Sequence, residues 1–210
     1  MARYLTEFIG TFFLVLTVGL TVLGGTPLAP LAIGSALMVM VYAGGHISGG
    51  HYNPAVSLAV FLRRKLTATD LVGYWLCQLA GGIVAAILVK GLAGQTLKVA
   101  PGVGVSTGSA LLVEFLFTFA LALVVLNTAV SERTKGNSHF GLAIGFTVTV
   151  GVFAGGAISG GAFNPAVGLG PILVDATMAG GSFAPAWLYL VGPLAGGAVA
   201  AMVFGVQEGG

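Results

Sequence analysis

Ile47-Ser48-Gly49-Gly50-His51-Tyr52-Asn53-Pro54-Ala55-Val56 returns 111 residues later as Ile158-Ser159-Gly160-Gly161-Ala162-Phe163-Asn164-Pro165-Ala166-Val167, identical at eight of ten positions. Chance does not account for that. Outside this core, Glu7-Phe8 with Thr11-Phe12 returns as Glu114-Phe115 with Thr118-Phe119, and Leu79-Ala80-Gly81-Gly82 returns as Leu194-Ala195-Gly196-Gly197. The chain reads as one domain, 1–210, built from two repeats of approximately 1–100 and 108–210.

Around the repeats the chain is apolar. Hydrophobic residues make up 57% of it and charged residues 7%, against about 25% charged in soluble domains. That excludes a water-soluble globule. Apolar runs near Tyr4–Leu23, Pro30–Gly45, Leu71–Val89, Ala110–Val130, Phe140–Gly155 and Phe183–Phe204 reach or approach spanning length, and their continuous hydrophobicity predicts helices rather than barrel strands. The fold class is therefore all-α membrane protein, with six transmembrane helices. The first span carries Glu7 and has no convincing cleavage site, so it is read as a retained helix rather than a signal peptide. Two shorter apolar segments, from Asn53 to about Leu62 and from Asn164 to about Val174, enter the bilayer only partway as half-helices.

With the N-terminus inside, Arg3, Arg63, Arg64, Lys65, Arg133 and Lys135 fall on the cytoplasmic side, and only Lys90 and Lys98 outside. The positive-inside rule thus puts both termini in the cytoplasm. Three spans per half is an odd number, so the second half enters from the opposite face, as an inverted repeat.

Asn-Pro after a glycine-rich stretch is a strong helix start, because Asn caps well and Pro at the first helical position loses no needed donor. Two half-helices entering from opposite faces bring their positive N-terminal dipole ends toward one point near the bilayer centre. Non-helical backbone at that depth is tolerated where it lines a cavity or is buried in protein. The stretches 44–52 and 155–163 are thus expected to line a pore, with Gly49, Gly50, His51 and Gly160 on its loops. Asn53 and Asn164 would donate N–H groups at its middle.

On these residues the chain resembles the aquaporin, or major intrinsic protein, family over nearly its whole length. The paired boxes Asn53-Pro54-Ala55 and Asn164-Pro165-Ala166, the six spans and the duplicated Glu7 and Glu114 carry the resemblance. It implies the aquaporin-like hourglass fold, a homotetramer with one pore per protomer, passage of water and small neutral solutes, no cofactor and no chemical reaction. Glu7 and Glu114, costly inside spans unless hydrogen-bonded, are then supports that accept backbone N–H groups from the pore loops.

Counting from the boxes, the family's selectivity filter maps onto Ile33, Val152, Gly161 and Val167. None is aromatic and none is charged. A water-selective member would carry Arg where Val167 stands and a polar group near Val152. Their absence predicts a wider and less polar constriction that passes ammonia, hydrogen peroxide, urea or glycerol beside water. Gly168 and Ile172 stand where the glycerol-facilitator branch has Asp and a basic residue, which argues against a dedicated glycerol channel.

Other features read more plainly. Thr67 and Asp70 form a capping pattern, and Gly81-Gly82 and Gly196-Gly197 let helices approach closely. Trp75, Trp187 and the tyrosines are expected at span ends or protomer surfaces as interfacial anchors. His46 and His51 suggest hydrogen bonding within the first pore loop, and His139 an interfacial position. A net charge of +2 with no basic stripe sets nucleic acid aside, and the single Cys77 allows neither an intrachain disulfide nor a cysteine metal cluster. No metal site is expected. A secondary transporter would need titratable groups where Asn53 and Asn164 stand; an intramembrane enzyme would need a nucleophile and base that the sequence does not cluster. A non-conducting structural protein of the same fold is the remaining alternative, and a prokaryotic plasma membrane fits the short termini.

Overall fold

The computed structural model describes residues 1–209, and its described residues form helices and connections with no strand. Eight α-helices follow in order: α1 (Ala2–Leu23), α2 (Ala29–Ser48), α3 (Pro54–Leu62), α4 (Ala68–Ala93), α5 (Thr107–Val125), α6 (Phe140–Ser159), α7 (Pro165–Met178) and α8 (Ala186–Glu208). Six are long and apolar enough to cross a membrane; α3 and α7 are the short pair.

The spans lie where the apolar runs place them, with local differences at the ends. The helix of α5 gives way to a π-helical turn, Leu126–Val130, in which Ser131 N reaches back to Leu126 O at 2.9 Å. Sequence reading ends the second half-helix at about Val174, but α7 runs on to Met178. Its last carbonyls find donors there, since Lys90 Nζ bonds Met178 O at 2.7 Å and Asp175 O accepts Ala179 N at 2.9 Å and Gly181 N at 3.1 Å. Helix α8 starts at Ala186 rather than Phe183, because Ser182 and Phe183 are engaged in the turn before it: Ala184 N donates to Ser182 Oγ and Ala186 N to Phe183 O. Thr67 caps α4 through its hydroxyl, as expected, while the Asp70 carboxylate is held by Arg3, Tyr4 and the Thr67 hydroxyl.

Both halves pack by one scheme. α1 lies on α4 and α5 on α8; across the halves α2 meets α6, α3 packs on α8, and α7 packs on α4. Neither short helix is therefore covered by its own half alone.

Small residues make these approaches possible. α2 and α6 cross at Gly34 and Gly145, equivalent positions of the repeats, where a Cβ on Gly145 would lie 2.5 Å from Gly34 O. A Cβ on Gly82 would lie 2.8 Å from Ala166 O, and one on Gly197 would lie 2.5 Å from Ala55 O. Those oxygens belong to the first turns of α7 and α3, so the two glycines seat the half-helices.

A side chain at either glycine has to push backbone. Gly197→Val is expected to destabilise the fold by about 1–3 kcal/mol, the usual overpacking cost, and to lower the midpoint of thermal unfolding in detergent. Gly91→Ala, at a helical position with nothing within 4 Å of the added carbon, does not lower the midpoint, because it adds helix propensity and no clash.

Candidate pore

The two short helices begin at the repeated asparagines. Asn53, extended at φ −155°, caps α3 by accepting Ala55 N on its Oδ1 at 2.9 Å; Asn164, at φ −162°, does the same for α7 with Ala166 N at 2.9 Å. Pro54 and Pro165 occupy the first helical positions. With Ala55 and Ala166 they form buried first turns.

Each asparagine also reaches into the other half. Asn53 Nδ2 donates to Phe163 O at 2.9 Å and Asn164 Nδ2 donates to Tyr52 O at 2.8 Å. The two N-caps are thereby locked side by side, and the positive ends of α3 and α7 meet.

The carbonyls that accept these bonds come from unusual backbone. Tyr52 and Phe163 sit at φ 47° and 49°, left-handed values rarely taken by side-chain-bearing residues. The glycines before them are also left-handed, with Gly49 and Gly160 at φ 92° and 93° ending α2 and α6, and Gly50 and Gly161 at 63° and 67°.

Buried carboxylates hold this shape. Glu7 receives Ser48 Oγ at 2.7 Å and His51 N at 2.9 Å on Oε1, then Tyr52 N at 2.6 Å and Gln78 Nε2 at 2.7 Å on Oε2. Glu114 receives Ser159 Oγ at 2.7 Å, Ala162 N at 3.0 Å and Phe163 N at 2.7 Å. With the loop amides engaged inward, the carbonyls of Tyr52 and Phe163 are left to the asparagines.

Tyrosines complete the support, and here the interfacial reading is corrected. Tyr52, Tyr74 and Tyr189 are buried at 1%, 2% and 0% exposure, so they are not surface anchors. Tyr74 donates to Ser48 O at 2.6 Å and Tyr189 to Ser159 O, the last carbonyls of α2 and α6; Tyr52 donates to Met40 O at 2.9 Å. Trp75, half-buried, donates its indole N–H to Pro54 O at 2.9 Å, whereas Trp187 is exposed. A buried aromatic with a polar tip needs a partner, and for Tyr74 and Tyr189 the C-terminal ends of α2 and α6 offer free carbonyls. The signal was in the sequence, since Tyr74 and Tyr189 stand at equal distances before Gly81-Gly82 and Gly196-Gly197.

A narrow cavity runs past the asparagines. Its volume is about 20 Å³, room for one or two water centres at a time. Gly50, His51, Asn53, Gly161, Asn164 and Val167 line it from the loops and short helices, and Ile33 from α2. On α6 the lining is Ile144 and Val148; Val152, one turn further on, is partly buried and is not among the lining residues, nor are Gly49 and Gly160. Of the mapped filter positions the structure thus brings Ile33, Gly161 and Val167 to one cavity. His46 and His139 lie away from it, at the end of α2 and the start of α6. Among the described residues no three His, Cys, Asp or Glu side chains gather as metal ligands would.

Comparisons with known proteins agree with this geometry. A sequence model of the family described as Major intrinsic protein matches residues 1–204. The Lactiplantibacillus plantarum protein named Glycerol uptake facilitator protein-like 6 is 40% identical over 212 residues, 96% of this chain and 95% of that one. Aquaporin TIP1-2 of Musa acuminata is 40% identical over 190 residues, 89% of this chain and 73% of its own length. The X-ray structure of the aquaglyceroporin from Plasmodium falciparum superposes with a TM-score of 0.78 over 97% of this chain and 94% of that one, at 24% identity, a likeness of fold.

Removing a carboxylate strands the amides it holds. Glu114→Ala leaves Ala162 N and Phe163 N buried without an acceptor, at about 1–3 kcal/mol each, so the thermal midpoint in detergent is expected to fall steeply. Glu132→Ala, at an exposed ion pair with Lys65 and Lys135, leaves it unchanged.

Proposed function

The chain belongs to the major intrinsic protein family, and from that membership we propose a passive membrane channel for water and other small neutral solutes, with no chemical reaction. The observation that carries the reading is the asparagine pair on the wall of a water-wide cavity. An amide NH2 has two donors; each asparagine spends one on the opposite loop and its oxygen on its own helix. One N–H of each remains for the lumen.

A water accepting those two bonds through its oxygen must point its hydrogens along the path. It has no acceptor left for a proton arriving from its neighbour, so a relay through the centre is broken. The paired dipole ends of α3 and α7 oppose cations at the same place.

Selectivity rests on Ile33, Val152, Gly161 and Val167, assigned as the filter. With no Arg and no His among them, the constriction is apolar and keeps no bulky charged side chain in the path, which supports passage of ammonia, hydrogen peroxide, urea or glycerol beside water. The names of the relatives, one a glycerol uptake facilitator and others aquaporins, support a range that includes both kinds of permeant. Exclusion of ions then falls to the central dipoles.

The protein is an integral, multi-pass membrane protein. The family and the apolar side chains exposed on the spanning helices support a homotetramer in the lipid bilayer. The loop charges support cytoplasmic termini, the repeats at about 1–100 and 108–210 support inverted halves, and the similarity to the Lactiplantibacillus plantarum protein supports a prokaryotic plasma membrane. A coupled transporter is not favoured, because Asn53 and Asn164, which stand where a coupling group would be needed, do not titrate.

Stopped-flow light scattering on proteoliposomes tests the reading. Fast shrinkage under an impermeant osmolyte is expected, together with swelling under urea and glycerol gradients, and Val167→Arg should abolish the swelling while water flow persists. Absence of both fluxes would overturn the open-pore reading.

A further inference from the structure

The cavity's lining residues fall into pairs from equivalent positions of the halves, such as Leu14 with Leu121, Ile33 with Ile144 and Val56 with Val167. One pair differs in polarity, for His51 is matched by Ala162. The difference does not come alone. Counted from the repeated stretches, Ser57 is matched by Gly168 and Gln78 by Pro193, so three polar residues of the first half are replaced together in the second.

In the fold these three form one hydrogen-bonded set. Gln78 Nε2 lies 2.7 Å from Glu7 Oε2 and 3.0 Å from Ser57 Oγ, and Ser57 Oγ lies 3.1 Å from His51 Nδ1. The proton positions follow by elimination. A carboxylate oxygen only accepts, so the Gln78 amide must turn its NH2 toward Glu7, and the second N–H of that group points at Ser57. Ser57 Oγ therefore accepts from Gln78, and among the described residues its own proton has one acceptor in reach, His51 Nδ1. The ring, packed against Tyr74 with centroids 5.2 Å apart, then carries its N–H on Nε2. That nitrogen has no partner within the described residues and is not among the sealed-off unpartnered atoms, on a residue that lines the cavity.

We propose that Ser57, backed by Gln78 and Glu7, is a positioning residue that fixes His51 as the neutral tautomer with its N–H on Nε2, turned to the cavity. The proposal rests on the reading of that cavity as the conduction path. It means that the three polar side chains on the lining, His51, Asn53 and Asn164, offer donors and no acceptor. Solutes with a lone pair, such as water, ammonia and urea, can be received there; ammonium, which has none, cannot.

Solid-state NMR of the whole protein in liposomes, with ¹⁵N-labelled histidine, tests this at pH 7.5. The His51 signal is identified by its loss in His51→Ala. Wild type is expected to show one neutral tautomer, protonated at Nε2; Ser57→Ala should give a mixture of both tautomers, and Ser57→Thr, which keeps the hydroxyl, should restore the single form. A wild-type ring protonated at Nδ1 overturns the proposal, as does a Ser57→Ala spectrum unchanged from wild type. Should Ser57→Ala not fold, the wild-type spectrum decides. Water flux on the same liposomes separates the two readings: an Nε2-protonated ring without flux overturns the pore, and flux with an Nδ1-protonated ring overturns the tautomer lock.

Discussion

A chain that turns back inside a bilayer must find acceptors for amides that no helix satisfies, and Glu7 and Glu114 are what this protein supplies. The magnitudes show why a charged group is used. Left-handed backbone at Tyr52 and Phe163 costs on the order of 1–2 kcal/mol per residue. Hydrogen bonds to a charged acceptor contribute about 1.5–3 kcal/mol each, and each carboxylate receives at least three. The strained turns are outweighed within one network, which is how two carboxylates come to rest wholly buried in apolar helices.

From those turns the rest is fixed in sequence. The loop carbonyls are freed for the opposite asparagine, the asparagines then hold the two helix starts together, and the first turns press so closely on α4 and α8 that only glycine fits at Gly82 and Gly197. The lumen is narrow because of this closeness. Its polarity is set by what the asparagines and His51 have left after the scaffold has taken its share of their hydrogen bonds.

Much of this was legible in the sequence, and the repeat explains why. A duplicated Asn-Pro-Ala carries cap, helix start and dipole direction in adjacent residues, and the glycines announce close packing without any long-range knowledge. Trp75 and Gln78 were opaque, and Tyr74 and Tyr189 offered no more than their matched spacing, for the opposite reason: their roles depend on which carbonyl or carboxylate lies across a helix interface. An aromatic with a polar tip in an apolar run suits a membrane surface as well as a buried carbonyl, and only the fold decides. The end of α7 escaped because its last turn is held by Lys90, distant in sequence. On α6 the cavity wall is made by Ile144 and Val148, with Val152 one turn further along the same helix.

The crossed asparagine bonds also bear on how the molecule is made. Chains are synthesised from the N-terminus, and earlier parts fold first. The network around Glu7 closes with residues no later than Gln78, so the first loop can set while the second half is still unmade. The partner carbonyl for Asn53 is Phe163, and the helix that covers α3 is α8. A nascent chain halted midway therefore has a finished loop with nothing to close against, and the membrane acquires a passage only when the last helix has been delivered.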